Sequence, residues 1–491
     1  RIYANANNEP ADYSPDNVPF KPRYFFPVST GGVKEGDFTM VYGFPGRTNE
    51  YATSYAIDLT QNVSDPNRVK IRDKILTTWW NDMIANDTMR IQYASKYYGL
   101  GNAWKKWQGE ILGLKKSDAI FKKQQYESEF TSRISANASW NNKYKTVLPG
   151  LKRVYDSIKL IQPEVDYYEE ALTVPEIFHF ASSFQTLAEL SAGKAVPAET
   201  VSKEVEKLKA SAAAFFKNYS AGTDQKLTSE MMNLYSQNIG LSKSPPALQD
   251  AMKKFSGDGK AFSAWLFSAS FFDDQKAVMA FLDNYHQGDE KKIMKDAAYR
   301  ISTAINDYGN TSIYPELNKL RNESTVLNRQ YMAAQLDVMK EKKFYPDANL
   351  TLRITYGKVE GYSPRNGVDY AYATTLDGVM EKMNPEVEDY KVPDRLKELY
   401  AKKDYGDYAD ASGEMRTCFI ASNHTSGGNS GSPVIDGEGR LVADGHGGRH
   451  AGRGHQAVRV ARHGGQREVR VAVRAATCRN ASQSGIRSPA P

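Results

Sequence analysis

The sequence predicts an α+β fold in which a large all-α domain is inserted into a β domain. Segments with strand-like alternation occur in residues 1–60 and again in 346–442, and the long stretch 61–345 between them has helical periodicity. An insertion into a β domain fits this order better than three independent domains would. The composition, with 40% hydrophobic and 25% charged residues in 491, is that of a globular protein.

Residues 1–60 contain the first β segments. Residues 24–28 and 38–42 are rich in aromatic and β-branched side chains, and the glycine-containing segment 31–37 separates them. A Gly-Phe-Pro-Gly turn signal follows at 43–46. We therefore expect a strand–turn–strand arrangement before the helical domain.

The helical domain is predicted over residues 61–345. Ser64, followed by Asp65 and Pro66, is typical of a helix N-terminus. One apolar face follows with a four-residue spacing: Ile71, Ile75, Trp79 and Met83. Further helices are predicted from a Ser117 cap to about Ile134, at 151–160, over 199–219 and from Tyr314 to Lys342.

Strand patterns return in residues 346–442. Alternation predicts strands at 350–357, 418–422 and 433–435. The Asp436-Gly437 pair is a hairpin-turn signal that leads into Leu441-Val442.

The segment 425–434, Thr-Ser-Gly-Gly-Asn-Ser-Gly-Ser-Pro-Val, is the strongest chemical signal in the chain. Small residues around Ser430 allow the backbone to bend sharply and to direct N–H groups at an oxyanion. Gly-Asn-Ser-Gly-Ser-Pro at 428–433 also resembles the loop around the nucleophile of chymotrypsin-like proteases. The structural alternative is a polar turn that joins two strands.

Residues 421–435 as a whole resemble the nucleophile segment of the bacterial serine dipeptidyl aminopeptidases of the dipeptidyl-peptidase seven and eleven type. Further matching motifs occur in the same order along the chain, at 17–22, 43–48, 345–349, 352–359 and 374–382. The resemblance covers residues 1 to about 442. It implies a partial chymotrypsin-like double β-barrel with an inserted helical domain that roofs the active-site cleft, and removal of dipeptides from a free peptide N-terminus.

The resemblance assigns two site residues. Ser430 is the nucleophile, and the N–H groups of Gly428 and Ser430 form the oxyanion hole. The resemblance also implies a reaction through an acyl-enzyme at Ser430 that needs no metal or cofactor. Its substrates are peptides with a free N-terminus, and the family's enzymes are periplasmic or secreted and often dimeric, so we expect the same location and a homodimer here.

The other two members of the catalytic triad are not found by this resemblance. In the family, the catalytic His and Asp lie upstream of the segment that matches Arg1-Ile2-Tyr3, so we expect a fragment that is essentially inactive alone. His424, six positions before Ser430, is the alternative base, but a His-Thr step at this place in the family is not the base. The rival function is a non-catalytic peptide-binding or scaffold protein.

Residues 443–491 differ abruptly from the rest of the chain. They contain nine Arg and two acidic residues, a net charge of +7. Because the whole chain carries +6, the other 442 residues carry a net charge of −1. Lys and all aromatic residues are absent from them. We expect an aberrant Arg-, Gly- and His-rich tail that departs from the family at Ala443, and our hypothesis is a change of reading frame in the gene.

Other function classes find little support in the sequence. Clustered Arg in the tail could bind nucleic acid, but no aromatic residue there can stack on bases, and its His spacing matches no compact metal motif. The two cysteines, Cys418 and Cys478, cannot form a four-ligand zinc site by themselves. No apolar run of 18 residues predicts a membrane span, and no nucleotide-binding fingerprint occurs.

Overall fold

The computed structural model of the chain describes residues 2–29, 31–192, 196–387, 390–445 and 456–460. The chain forms two compact units: Arg1–Glu50 together with the chain from Pro346 onward, and Tyr51–Tyr345. Strands are concentrated in the first, the β unit, and helices make up the second, the helical unit. The α+β class predicted from the sequence is therefore confirmed.

The β unit contains short strands from both ends of the chain. In chain order they are β1 (Tyr3–Ala4), β2 (Val18–Pro19), β3 (Phe38–Gly43), β4 (Arg353–Lys358), β5 (Tyr362–Arg365), β6 (Val368–Tyr370), β7 (Ala373–Thr375), β8 (Arg416–Ala421), β9 (Pro433–Ile435), β10 (Leu441–Gly445) and β11 (Gln456–Val460). β1–β2 and β5–β6 are separate two-stranded pairs. The strands predicted at 38–42, 350–357, 418–422 and 433–435 correspond to β3, β4, β8 and β9.

The other seven strands form one antiparallel sheet in the order β4–β3–β9–β10–β11–β8–β7. Just after β4, Val359 makes an antiparallel bridge with Ala421 of β8, so the sheet curls back on itself. Its buried apolar core comprises Val41, Val359, Phe419, Ala421, Val434, Val442 and Ala443. β3 therefore lies beside β4 and β9, which follow the helical unit in sequence.

Local sequence explains the central strands of this sheet. In β3, Thr39, Val41 and Gly43 are buried, and the alternate positions are partly or fully exposed, as expected for a strand with one face on a core. β9 and β10 are joined by the turn predicted at Asp436-Gly437. The Asp436 amide donates to the Arg440 carbonyl at 3.0 Å, and Gly439 takes the positive φ of +77° that this turn requires.

Two expectations for residues 1–60 are not met. Residues 24–28 form no strand, and only Val28 makes an isolated bridge with Leu441. Pro27 lacks the N–H group that a ladder needs, which is one physical reason for the difference. The first helix, Ser54–Leu59, lies inside this range, because Thr53 accepts a hydrogen bond from the Ala56 amide and caps it.

The helical unit is built from helices α1 to α16, and α17 and α18 belong to the β unit. The bounds are α1 Ser54–Leu59, α2 Asp65–Ala85, α3 Asp87–Lys116, α4 Ala119–Ser135, α5 Ala138–Tyr144, α6 Val147–Tyr167, α7 Glu176–Ser182, α8 Gln185–Ala192, α9 Ala198–Lys217, α10 Ala221–Asn238, α11 Pro246–Lys254, α12 Gly259–Ser268, α13 Gln275–Asp283, α14 Glu290–Lys295, α15 Ala297–Tyr308, α16 Tyr314–Val338, α17 Asp377–Glu381 and α18 Asp394–Lys402. Turns of π-helix at Thr60–Ser64, Tyr168–Leu172 and Gly309–Ile313 follow α1, α6 and α15.

The predicted apolar face of α2 is buried in the main core of the helical unit, together with residues of α6, α7, α9, α10, α12 and α15. Two predicted caps are wrong. Ser64 is helical and its hydroxyl donates to Asp166 at 3.0 Å, because a π turn continues the chain from α1 into α2. Ser117 ends α3 instead of starting α4, and its hydroxyl donates to the Leu114 carbonyl at 3.2 Å.

No helix in the described part of the chain is long and apolar enough to cross a membrane. Of the tail expected at 443–491, the described residues are the end of β10 and the whole of β11, which pairs with β10 and β8. The four tail histidines and Cys478 lie outside the described residues.

Candidate active site

Ser430 lies in the β unit, in the turn that connects β8 to β9, and its side chain is exposed. The turn is closed by two backbone hydrogen bonds: the Asn429 amide donates to the Ser426 carbonyl at 3.2 Å, and the Ser432 amide donates to the Asn429 carbonyl at 2.9 Å. Gly428 and Gly431, on either side of Asn429-Ser430, have φ of +106° and +81°. Residues with a Cβ rarely adopt this conformation, so the glycines allow the bend that presents Ser430.

Gly428 presents an amide on the same turn. Its N–H makes no hydrogen bond with any residue that the structure describes. Asn429, which separates Gly428 from Ser430, is 2% exposed, and its Nδ2 donates to the Ser426 carbonyl at 3.2 Å. The turn therefore has an inward side chain, Asn429, that fixes it, and an outward one, Ser430.

A second loop, residues 43–46, packs directly against this turn. The Gly46 amide donates to the Gly427 carbonyl at 2.6 Å. A Cβ on Gly428 would lie 2.4 Å from the Phe44 carbonyl oxygen, and a Cβ on Gly46 would lie 2.7 Å from the Gly427 oxygen. Both glycines are therefore needed for the two backbones to approach this closely.

Gly43, at the end of β3, makes room for the inward side of the turn. A Cβ at this position would lie 2.1 Å from Asn429 Oδ1 and 2.4 Å from Ser432 Oγ. On the other side, the Gly431 amide donates to the Gly445 carbonyl at 2.8 Å, and the Gly445 amide returns a bond of 2.7 Å to the Ser432 carbonyl. The turn that carries Ser430 is thus held between β3 and β10.

Asn423 is a site-supporting residue that the sequence analysis did not single out. It follows β8, it is fully buried, and its Oδ1 accepts a hydrogen bond from Thr39 Oγ1 at 2.7 Å. Its Nδ2 donates to the carbonyls of Thr39 at 3.2 Å and Thr355 at 3.3 Å. Asn423 therefore ties β3 and β4 to the start of the segment that carries Ser430. A polar residue two positions after the end of an apolar strand was the available signal.

The histidines outside the tail, including the alternative base His424, are placed as follows. His424 is exposed, and its amide donates to Thr355 Oγ1 at 2.9 Å. His179 lies in α7 of the helical unit, and His286 precedes α14 beside Asp289, 3.9 Å from its carboxylate. Ser430 and Gly428 are therefore brought into one turn.

The arrangement has the chemical elements of an acyl-transfer site. It offers an exposed hydroxyl and a nearby amide donor on a turn fixed on both sides. The described residues contain no group of three or more His, Cys, Asp or Glu side chains placed to hold a metal ion.

Residues 1–447 match the family model described as Peptidase S46. The chain belongs to this family. Its resemblance to the dipeptidyl aminopeptidases is thereby confirmed. The family match ends at residue 447, close to the point where the sequence analysis placed the start of the tail.

Curated relatives of this S46 chain are dipeptidyl-peptidases. It is 38% identical over 443 residues to an Asp/Glu-specific dipeptidyl-peptidase of Flavobacterium psychrophilum, covering 90% of the chain and 61% of the relative. It is 33% identical over 451 residues to dipeptidyl-peptidase 7 of Porphyromonas endodontalis, covering 90% and 53%. The chain thus spans between half and two thirds of the length of these relatives.

Solved structures support the same assignment. The chain is similar to Porphyromonas endodontalis DPP11 in complex with the dipeptide Arg-Glu, with a TM-score of 0.84 and 27% identity, covering 94% of this chain and 66% of that one. A structure of the same protein in an alternate conformation matches with a TM-score of 0.63 and 26% identity.

Proposed function

We propose that this chain carries the nucleophile and the oxyanion hole of a serine dipeptidyl aminopeptidase. The observation that carries the proposal is the turn at 426–432, which presents Ser430 and the Gly428 amide together. The dipeptidyl-peptidase names of the relatives supply the reaction and the substrate class, peptides with a free N-terminus. The bound dipeptide of the DPP11 structure supports the same class.

The proposed reaction proceeds in two steps. Ser430 Oγ attacks the carbonyl carbon of the second residue of the peptide, and its proton passes to a general base. The N–H groups of Gly428 and Ser430 stabilise the oxyanion of the tetrahedral adduct. The C–N bond then breaks, the leaving amine takes the proton, and water hydrolyses the acyl-enzyme to release the dipeptide.

The base and its orienting acid are part of the proposal. A serine hydroxyl is a poor nucleophile without a base. We assign the base and the acid to the part of the longer relatives that the match with this chain does not cover. By itself the chain is then essentially inactive, because loss of the base costs about 10⁶ in rate.

We also propose a more detailed fold for the β unit. The curled sheet that ends in the Val359–Ala421 bridge corresponds, in this proposal, to one of the two barrels of a chymotrypsin-like fold. The family resemblance also supports a periplasmic or secreted location and a homodimer. We propose residues 61–345, together with the preceding helix Ser54–Leu59, as the inserted domain, 346–442 as the second barrel with its nucleophile loop, and 443–491 as a tail foreign to the family.

A chimera tests the proposed function. The segment of the Flavobacterium psychrophilum relative that aligns with residues 1–442 is replaced by those residues, and dipeptide release from chromogenic substrates is measured. We expect activity that Ser430→Ala lowers by about 10⁶. The control Ser412→Ala, at an exposed serine of the same unit, should leave the rate unchanged.

Two results would contradict the proposal in different ways. A folded chimera that releases no dipeptide would overturn the peptidase assignment and favour the non-catalytic peptide-binding or scaffold protein. Release of dipeptides by the unfused chain, abolished by Ser430→Ala, would show instead that the base lies within these 491 residues.

A further inference from the structure

We propose that Gly46 is a positioning residue for the oxyanion hole, because its N–H group sets the direction of the Gly428 N–H. The inference rests on the proposed function, in which Gly428 donates to the oxyanion. Gly46 belongs to the loop 43–46, which is far from Ser430 in sequence and directly against its turn in space.

The coupling runs through a single peptide group. The carbonyl of Gly427 and the N–H of Gly428 belong to the same planar trans peptide, so they point in opposite directions. The Gly46 amide donates to the Gly427 oxygen at 2.6 Å. Holding that oxygen toward loop 43–46 therefore directs the Gly428 N–H away from the loop.

Without this bond, the peptide has local freedom to turn over. Both of its residues are glycines, which have the widest range of backbone angles, and both are exposed. A Cβ at Gly427 would contact nothing within 4 Å, so the space beside Gly427 is open, and on the Gly428 side the close neighbour is loop 43–46 itself. The other donor to the Gly427 oxygen is the hydroxyl of Ser426, at 3.3 Å, a longer bond from a freely rotating group.

The loop that supplies the Gly46 donor is itself fixed to the sheet. Gly43 is the last residue of β3, and the Leu350 amide donates to the Pro45 carbonyl at 3.0 Å. Arg47 makes an antiparallel bridge with Asn349. The donor therefore sits on a rigid support on both sides, as a group that orients a catalytic amide must.

Two substitutions remove the contact by different means. Gly46→Pro deletes the N–H donor. Gly46→Ala keeps the donor but adds a Cβ 2.7 Å from the Gly427 oxygen, which pushes that carbonyl away. Gly437→Ala is the matched control, since it lies in the β9–β10 turn of the same sheet and its Cβ would make only an ordinary 3.9 Å contact with Phe38.

The first readout is the crystal structure of the full chain with each substitution. We expect the 427–428 peptide to be rotated or to occupy two orientations in both Gly46 variants, with β3, β9 and β10 unchanged and Gly437→Ala identical to the wild type. A 427–428 peptide that keeps its orientation in Gly46→Pro and Gly46→Ala would overturn the inference, whatever the chain catalyses.

The second readout is kinetic and uses the chimera described above. We expect both Gly46 substitutions to lower kcat about 100-fold, with KM and the melting temperature close to those of Gly437→Ala, because only the transition state carries the oxyanion. Equal kcat in the Gly46 and Gly437 variants would contradict the inference. A chimera that is inactive before any substitution would contradict the proposed function instead, and the crystallographic readout would then decide the inference alone.

Discussion

At the scale of single residues, the candidate site depends on one buried amide side chain as much as on the exposed serine. Asn423 makes three hydrogen bonds, to Thr39 Oγ1, the Thr39 carbonyl and the Thr355 carbonyl. Each of these partners is on a neighbouring strand. Because buried polar groups without partners are costly, the Asn423 side chain is expected to fix the spacing of β3 and β4 below the nucleophile segment.

Asn423→Ala should destabilise the β unit by about 2–4 kcal/mol, because it leaves the Thr39 hydroxyl and two carbonyl oxygens without their partner. All six tryptophans lie in the helical unit, so tryptophan fluorescence does not report on the β unit. Hydrogen exchange of the β3 amides measures the effect. Asn7→Ala, at an exposed asparagine of the same unit, is the control, and equal exchange rates in the two variants would show that Asn423 is not a structural tie.

The sequence points to the exposed residues of the candidate site, which stay a prediction, and it does not reveal the residues that support them. Ser430 and Gly428 were assigned from a local glycine-rich motif, and such motifs can be recognised because the conformational need is local. The contact of Gly46 with Gly427 and the bonds of Asn423 with β3 each join a segment that precedes the helical unit in sequence to one that follows it. Such pairings depend on the tertiary fold, so spacing along the chain does not reveal them.

At the scale of elements, the first long helical segment buries an acidic side chain that the predicted apolar face does not include. α1, the π turn at Thr60–Ser64 and α2 run on without a break, so the turn places Asp65 inside the helix instead of at its start. Asp65 is 5% exposed, and its Oδ2 has no hydrogen-bond partner among the described residues. Burial, with a further contribution from the nearby Glu110 carboxylate, raises the pKa of Asp65 to about 7.

This raised pKa predicts that the helical unit loses stability as the pH rises. In the unfolded chain an aspartate loses its proton near pH 4, whereas folded Asp65 keeps it up to about pH 7. The folded state therefore binds more protons than the unfolded state between these values, and the free energy of unfolding falls as the pH rises through that window. Asp224, whose pKa is also raised to about 7, chiefly by burial and next by Glu176, adds to the same trend.

Asp65→Asn tests the contribution of this one carboxyl. We expect the variant to be more stable than the wild type at pH 8, by on the order of 1–3 kcal/mol, and to differ little at pH 4. Urea unfolding followed by tryptophan fluorescence measures this change in the helical unit alone. Asp73→Asn, at an exposed position of α2, is the control. An unchanged pH dependence in Asp65→Asn would show that Asp65 is ionised in the folded protein.

Helix interiors were more predictable than helix ends. The four-residue spacing of Ile71, Ile75, Trp79 and Met83 reflects burial of one face, which is a property of the helix itself. The assigned cap at Ser64 was wrong because its hydroxyl binds Asp166 of α6, a partner that only the packed unit provides. Cap preferences are local, and a tertiary hydrogen bond of this kind overrides them.

At the scale of the whole molecule, the order of elements was the most reliable prediction, because strand and helix periodicities differ clearly over long stretches. The hydrogen bonds that close each unit, by joining chain segments from before and after the helices, could not be predicted from the sequence. In the β unit, Thr48 Oγ1 donates to Asp347 Oδ1 at 2.6 Å, and the Glu50 amide donates to the same oxygen at 2.9 Å. In the helical unit, the Tyr51 hydroxyl donates to the Tyr345 carbonyl at 2.6 Å and accepts from the Tyr345 amide at 3.0 Å.

These closures predict that the helical unit folds alone. Its ends, Tyr51 and Tyr345, are already held together, and it has its own large apolar core, so excision as residues 51–345 opens no structure inside it. We expect the excised unit to show helical circular dichroism and one cooperative urea transition by tryptophan fluorescence. Residues 91–345 provide the control, because they lack α1 and α2 and with them the core residues Ile71 and Ile75. We expect non-cooperative unfolding only of residues 91–345. The same behaviour in residues 51–345 would show that the helical unit depends on the rest of the chain for its stability.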